Sequence, residues 1–199
     1  MPKWLEISLY TFSFYCVLFV SWQLLILPLE GETDLSKLGS SAYIPHAGRV
    51  LPVLFFGAPA IPAMVVAEFI CWQYLWDDAI WERPELGIFI SSTSIVFAWL
   101  LFKYLDLDLK SMRVLKNTDW KHVTLFIIVT ALFNGIGNGA LYLYRYENYD
   151  PLISIRFAVG DIVGAMSVLL VMMIIASILR QDDRLSLIHI SEPTRQVPI

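Results

Sequence analysis

Apolar positions along this chain come in long blocks parted by short polar stretches, with little alternation inside a block. A helix that crosses a bilayer needs about 20 predominantly apolar residues. Four blocks qualify: residues 7–27, 86–105, 123–144 and 152–179. Residues 42–76 are too long for one crossing, and Gly57, Ala58, Pro59 and Pro62 interrupt them. Gly and Pro at that density break a helix or turn it back. The pattern predicts a tight hairpin there, one arm over 43–56 and its return over 61–75. The expected fold is all-α: a polytopic integral membrane helical bundle of about six transmembrane helices, including this short Gly/Pro-turned hairpin.

Composition narrows the class without naming a chemistry. Charged residues make up 16% of the chain and hydrophobic ones 57%, where a soluble domain carries roughly 25% charge. The lipid bilayer is thus the first expected partner. A formal net charge of −4, with no basic tract, excludes nucleic acid as a partner. Cys16 and Cys71 lie in apolar blocks and read as buried thiols rather than a disulfide. Lys3 precedes an apolar block without a small-residue cleavage pattern, so no cleavable signal is expected.

Loop charges orient the spans. Lys103, Lys110, Arg113, Lys116 and Lys121 mark one connection as cytoplasmic, whereas Asp77, Asp78, Glu82 and Glu85, with only Arg83 against them, mark another as outward. Lys3 at one end and Arg180 and Arg184 at the other then both fall inside, as six spans require. Trp72, Trp76, Trp81, Tyr142, Tyr144, Tyr146 and Tyr149 fit an outer aromatic belt, and Trp4 and Trp120 an inner one.

The tail stands apart. Residues 185–195 read LSLIHISEPTR, which is identified as the in-frame translation of a sequencing-adapter sequence. On this reading 1–184 is a membrane domain truncated at its C-terminal end, 185–199 is not native protein, and His189 is no ligand.

Within the apolar blocks, a few polar groups stand out. At ~1.5 Å per residue, Arg49 lies roughly 10 Å and Asp161 roughly 14 Å below the outer surface. Glu68 on the return arm mirrors Arg49 about the Ala58–Pro59 turn, so the three ionisable groups are expected in one layer. Each such charge costs at least ~2.5 kcal/mol at membrane depth and therefore faces the bundle interior and pairs. The layer has two readings, an outward-open polar chamber in which Arg49 holds an anionic ligand group, or a structural bond that locks the bundle. His46 is expected at the interface, near the mouth, as a hydrogen-bonding residue or a pH sensor. Asn134 and Asn138 need partners at this depth. Gly135 and Gly139, and again Gly160 and Gly164, are spaced to let helix backbones approach closely. Ser91, Ser92, Thr93 and Ser94 are expected to bond their own helix. No metal-ligand spacing appears and no cofactor is expected.

Two stretches, YIPHAGRVLPVLFFGAPAIPAMVVAEF and FAVGDIVGAMSVLLV, resemble the membrane-associated sensor domains of the MASE type. The opening motif falls on Pro45, Gly48 and Gly57, with Pro59 beside the turn, and the later Gly-Asp-x-x-Gly motif on Gly160, Asp161 and Gly164. The chain departs from the family at Ile44, His46 and Arg49, where an aromatic residue, a proline and an apolar residue are usual. The resemblance implies a multi-span sensory input in a bacterial inner membrane, joined to a cytoplasmic histidine kinase or diguanylate cyclase lying beyond this chain. A homodimer formed through that output is expected with it. The stimulus, whether a small ligand or a membrane-derived change, is not implied, and no catalytic residue is expected within the chain. The alternative is a small-solute transporter or its substrate-binding subunit, since broken helices and intramembrane charges also mark transport sites.

Overall fold

A computed structural model describes residues 1–30, 39–75, 84–107, 120–146 and 151–190, with no strand among them. Six helices follow in order. Helix α1 covers Lys3–Ser21 and continues through a π-helical segment, Trp22–Ile26, into Leu27–Glu30. Helix α2 is Pro45–Phe56, and a 3-10 turn, Ala58–Ala60, leads into α3, Ile61–Ile70, which ends in a second π segment, Cys71–Leu75. Then come α4, Pro84–Tyr104; α5, Trp120–Tyr146; and α6, Pro151–Ile190.

Among the described residues, five stretches are long and apolar enough to cross a membrane: Lys3–Glu30, Ala58–Leu75, Glu85–Tyr104, Lys121–Tyr144 and Leu152–Leu179. Their outward surfaces carry Leu24, Phe89, Ile136 and Leu170, all well exposed, as suits helices facing hydrocarbon rather than water. Helix α2 differs. Its 12 residues reach only about 18 Å against a hydrocarbon core of about 30 Å. Every residue from Pro45 to Leu54 is buried, and α2 touches each of the other five helices.

Local chemistry sets the ends of α2. Pro45 suits a first turn, where the missing N–H has no helical partner. Gly57 closes the helix at φ 75°, ψ −159°, a backbone state glycine alone adopts cheaply, while its N–H still bonds the Val53 carbonyl at 2.8 Å. Pro62 then opens α3. The expected arms over 43–56 and 61–75 are thus two separate helices with their break at Gly57. The connection expected to face outward, with Asp77, Asp78, Glu82 and Arg83, lies outside the described residues, as do Trp76, Trp81, Tyr149 and the basic positions 110, 113 and 116.

Residues 39–44 run across α6 before entering α2. The Tyr43 N–H donates to the Gly160 carbonyl at 2.9 Å. On the α1 side, Glu30 Oε1 accepts from Ser40 Oγ at 2.9 Å and from the Ser41 N–H at 2.7 Å, and Trp22 Nε1 donates to Ser40 Oγ at 3.0 Å. The approach to α6 is close enough to exclude any side chain: a Cβ at Gly160 would strike the Ser40 carbonyl, and one at Gly164 the Tyr43 carbonyl. Gly135 serves the α5–α6 contact in the same way, its Cβ position lying 2.6 Å from the Ser154 carbonyl oxygen. Gly135 thus makes a close helix–helix approach of the kind expected of the glycine pairs, whereas Gly160 and Gly164 meet the non-helical segment ahead of α2 rather than another helix.

Ala is the better helix former by up to ~1 kcal/mol, so Gly160→Ala and Gly164→Ala test this seat by sign. Each should destabilise by about 1–3 kcal/mol, the usual cost of overpacking, read as a lower Tm in detergent. Gly87→Ala, whose Cβ would meet Asn138 Oδ1 at an ordinary 3.7 Å, should not lower it.

Candidate functional site

Helix α2 presents His46 and Arg49 three residues apart, hence on one face. Both are enclosed, at 0% and 3% exposure, and each meets a carboxylate from another helix. Arg49 Nη2 lies 2.7 Å from Glu68 Oε1 on α3. It also donates to the Tyr43 hydroxyl at 3.3 Å, and the guanidinium stands 5.1 Å from the centre of the Tyr43 ring, within cation–π range. His46 Nδ1 lies 3.4 Å from Asp161 Oδ2 on α6.

Helix α5 completes the cluster. Asn134 Nδ2 donates to the same Asp161 oxygen at 2.6 Å, and Asn138 Nδ2 donates to Asn134 Oδ1 at 2.8 Å and to the Asn134 carbonyl at 3.0 Å. Thr130 Oγ1 lies 3.2 Å from His46 Nε2. A line of hydrogen-bonding groups therefore runs Asn138–Asn134–Asp161–His46–Thr130, beside the Tyr43–Arg49–Glu68 group. Of the expected single layer, the structure brings together Arg49 with Glu68 and Asp161 with Asn134, while the partner of Asp161 on α2 is His46 rather than Arg49.

His46 departs most from expectation. It was placed at a mouth, and it is fully enclosed because residues 39–44 lie over the start of α2 and α5 supplies Thr130 beneath. Pro45 and Gly48 accordingly line packed contacts rather than an opening: a Cβ at Gly48 would lie 2.9 Å from Tyr15 Cδ2 of α1. Gly139 packs on Ser154. Ser91 and Ser94 bond back to their own helix, at the Gly87 and Ser91 carbonyls.

Hydrogen bonding in the cluster is incomplete. Among the described residues, Arg49 Nε and Nη1, both Glu68 oxygens and His46 Nδ1 are buried without a hydrogen bond of proper direction. The Arg49–Glu68 approach is therefore an ion pair by distance, and the His46–Asp161 approach a polar contact whose ring carries a charge only when protonated.

Sequence reasoning passed over Thr130 and Tyr43. Thr130, Asn134 and Asn138 repeat every four residues on one face of α5, and that stripe was the available signal. Thr130, His46 and Asp161 also stand in the order nucleophile, base, acid. The Thr130 hydroxyl, however, is within 2.9 Å of its own helix carbonyls at Phe126 and Ile127 and is 0% exposed, so it has no face toward a substrate. No group of three or more His, Cys, Asp or Glu among the described residues is placed to hold a metal ion. In comparisons with protein-family models, with characterised proteins and with solved structures, the chain has no match.

Removing one partner of a buried ion pair strands the other, at a cost of about 3–5 kcal/mol. Glu68→Leu and Arg49→Leu should each show that loss in unfolding titrations in mixed micelles. The double substitution should recover most of it, because a packed apolar pair has no charge to neutralise.

Proposed function

We propose that the chain is the integral membrane sensory domain of a bacterial signalling protein, with the charge cluster around α2 as its switch. Supporting this reading most directly is the burial of a guanidinium against a carboxylate of α3, beside a second buried carboxylate on α6 that is engaged by α5. A permanent lock is as well built from apolar side chains. A sensor needs two packings that differ in affinity for the stimulus. Arg49 is held by Glu68, and Asp161 is the second carboxylate buried in the same cluster.

In one packing Arg49 pairs with Glu68 and Asp161 keeps His46 and Asn134. In the other, an anionic ligand group or a change in the bilayer draws Arg49 off Glu68, and α6 shifts with Asp161. The output is a kinase or cyclase beyond Arg184, and the resemblance to MASE-type sensor domains is what points to that class. His46 and Arg49, where the chain departs from that family, are the two residues of α2 that engage the carboxylates. The short α2 and its return in α3 act as one hairpin, making about six crossings with both ends of the domain in the cytoplasm of the inner membrane.

Two experiments bear on this. With the full-length protein in native vesicles, Arg49→Ala and Asp161→Asn should each change kinase or cyclase output severalfold and abolish its response to stimulus. Unchanged output from both ends the sensory reading, and solute uptake by liposomes holding this chain alone would replace it with transport. Reporter fusions test the topology: an alkaline phosphatase inserted at residue 80 should be active outside, and one at residue 112 inactive inside.

A further inference from the structure

The sulfurs of Cys16 on α1 and Cys71, the first residue of the π segment after α3, are 3.6 Å apart. Both are free thiols. Tyr15, Phe19, Trp22 and Ala67 pack around Cys71, with Cys16 against the same cluster, so the two thiols meet because the helices hold them there. A disulfide spans ~2.05 Å, which leaves about 1.5 Å to close by side-chain rotation. The meeting point is unusual in its backbone as well. Both helices turn π-helical on this side, and Gln23 Nε2 of one π segment donates to the Leu75 carbonyl of the other at 2.8 Å. Such segments are rare and concentrate at functional sites.

The structure assigns Cys16 and Cys71 to a reversible dithiol–disulfide pair that clamps α1 to α3 and is oxidised from the lipid side by a quinone. Cys71 is fully enclosed, whereas Cys16 is half-buried, beside the exposed Val17 and Val20. The oxidant therefore reaches Cys16 through apolar surroundings, and a lipid-soluble two-electron acceptor suits that route. The step balances: two S–H bonds break, one S–S bond forms, and the two electrons and two protons convert one quinone to its quinol. The clamp also borders the charge cluster. Cys16 follows Tyr15, which packs on Gly48 of α2, and Cys71 lies one turn after Glu68. Oxidation would tie α1, which backs α2 at Gly48, to α3, which carries Glu68.

The assignment stands apart from the sensory reading, because the link is read in the isolated chain without any output. The chain in liposomes is treated with decyl-ubiquinone or left reduced, then denatured, alkylated and weighed intact. The reduced chain should take two alkyl groups. The quinone-treated chain should take none, weigh two hydrogens less, remain monomeric, yield a linked Cys16–Cys71 peptide pair, and regain both thiols with a phosphine reductant. Cys16→Ser and Cys71→Ser should each keep one alkylatable thiol after quinone. Survival of both thiols in the wild-type chain, a covalent dimer, or oxygenated cysteine without an internal link overturns the assignment. A link made by copper–phenanthroline but not by the quinone overturns it as well.

Discussion

A short helix enclosed on every side by other helices has to neutralise whatever charge it carries, and α2 carries a guanidinium and an imidazole on one face. Water is excluded from Pro45 to Leu54, so neutralisation has to come from neighbouring helices. Glu68 on α3 neutralises the guanidinium, and Asp161 on α6 lies beside the imidazole. The rest of the bundle follows from that demand. Helix α3 must come back beside α2 within reach of Arg49, which Gly57 and the 3-10 turn permit. Helix α6 must bring Asp161 up to His46 beneath residues 39–44, which the absence of side chains at Gly160 and Gly164 permits. The glycines serve the charges as much as the packing.

The two carboxylates are held differently, and the difference is physical. Asp161 has an amide donor at 2.6 Å, and that amide is itself oriented by Asn138 one turn along α5. It sits in a network of directed bonds, each worth about 1 kcal/mol net and costing more when broken from one side. Glu68 has a charge contact and no directed bond. The Asn134–Asp161 bond ties α5 to α6, and the Arg49–Glu68 ion pair ties α2 to α3.

Much of the scaffold was legible because membrane helices announce themselves by length. The four long apolar blocks became α1, α4, α5 and most of α6, and the Gly/Pro cluster marked the break at Gly57. Meeting of Arg49 and Glu68 was legible too, since equal distances from a turn put two residues at one level. His46 was misplaced for a definite reason: the path of residues 39–44 depends on glycines in α6 more than a hundred residues away, and no local pattern encodes it. Thr130 escaped because a threonine in an apolar helix usually bonds its own backbone, and this one does so while also meeting His46. The count of six spans reads α2 as a crossing. At 12 residues it is not among the five described stretches long and apolar enough to cross by themselves, and it packs on all five of the other helices.

Helix α6 connects the cluster to the far end of the domain. It has Asp161 and both seat glycines in its first half, buried against α2 and α5, yet from Leu170 to Leu179 it is exposed on nearly all sides. An α-helix transmits rotation and translation along its axis with little loss, and 18 residues from Asp161 to Leu179 amount to about 27 Å at 1.5 Å per residue. With few neighbours along that length to oppose it, the second half follows whatever the first half does. On the sensory reading, a change in how Asp161 shares His46 and Asn134 is carried along α6 toward the output. Helix α1 is also largely exposed from Lys3 to Tyr10, so what distinguishes α6 is that it holds a carboxylate of the cluster and runs on from it.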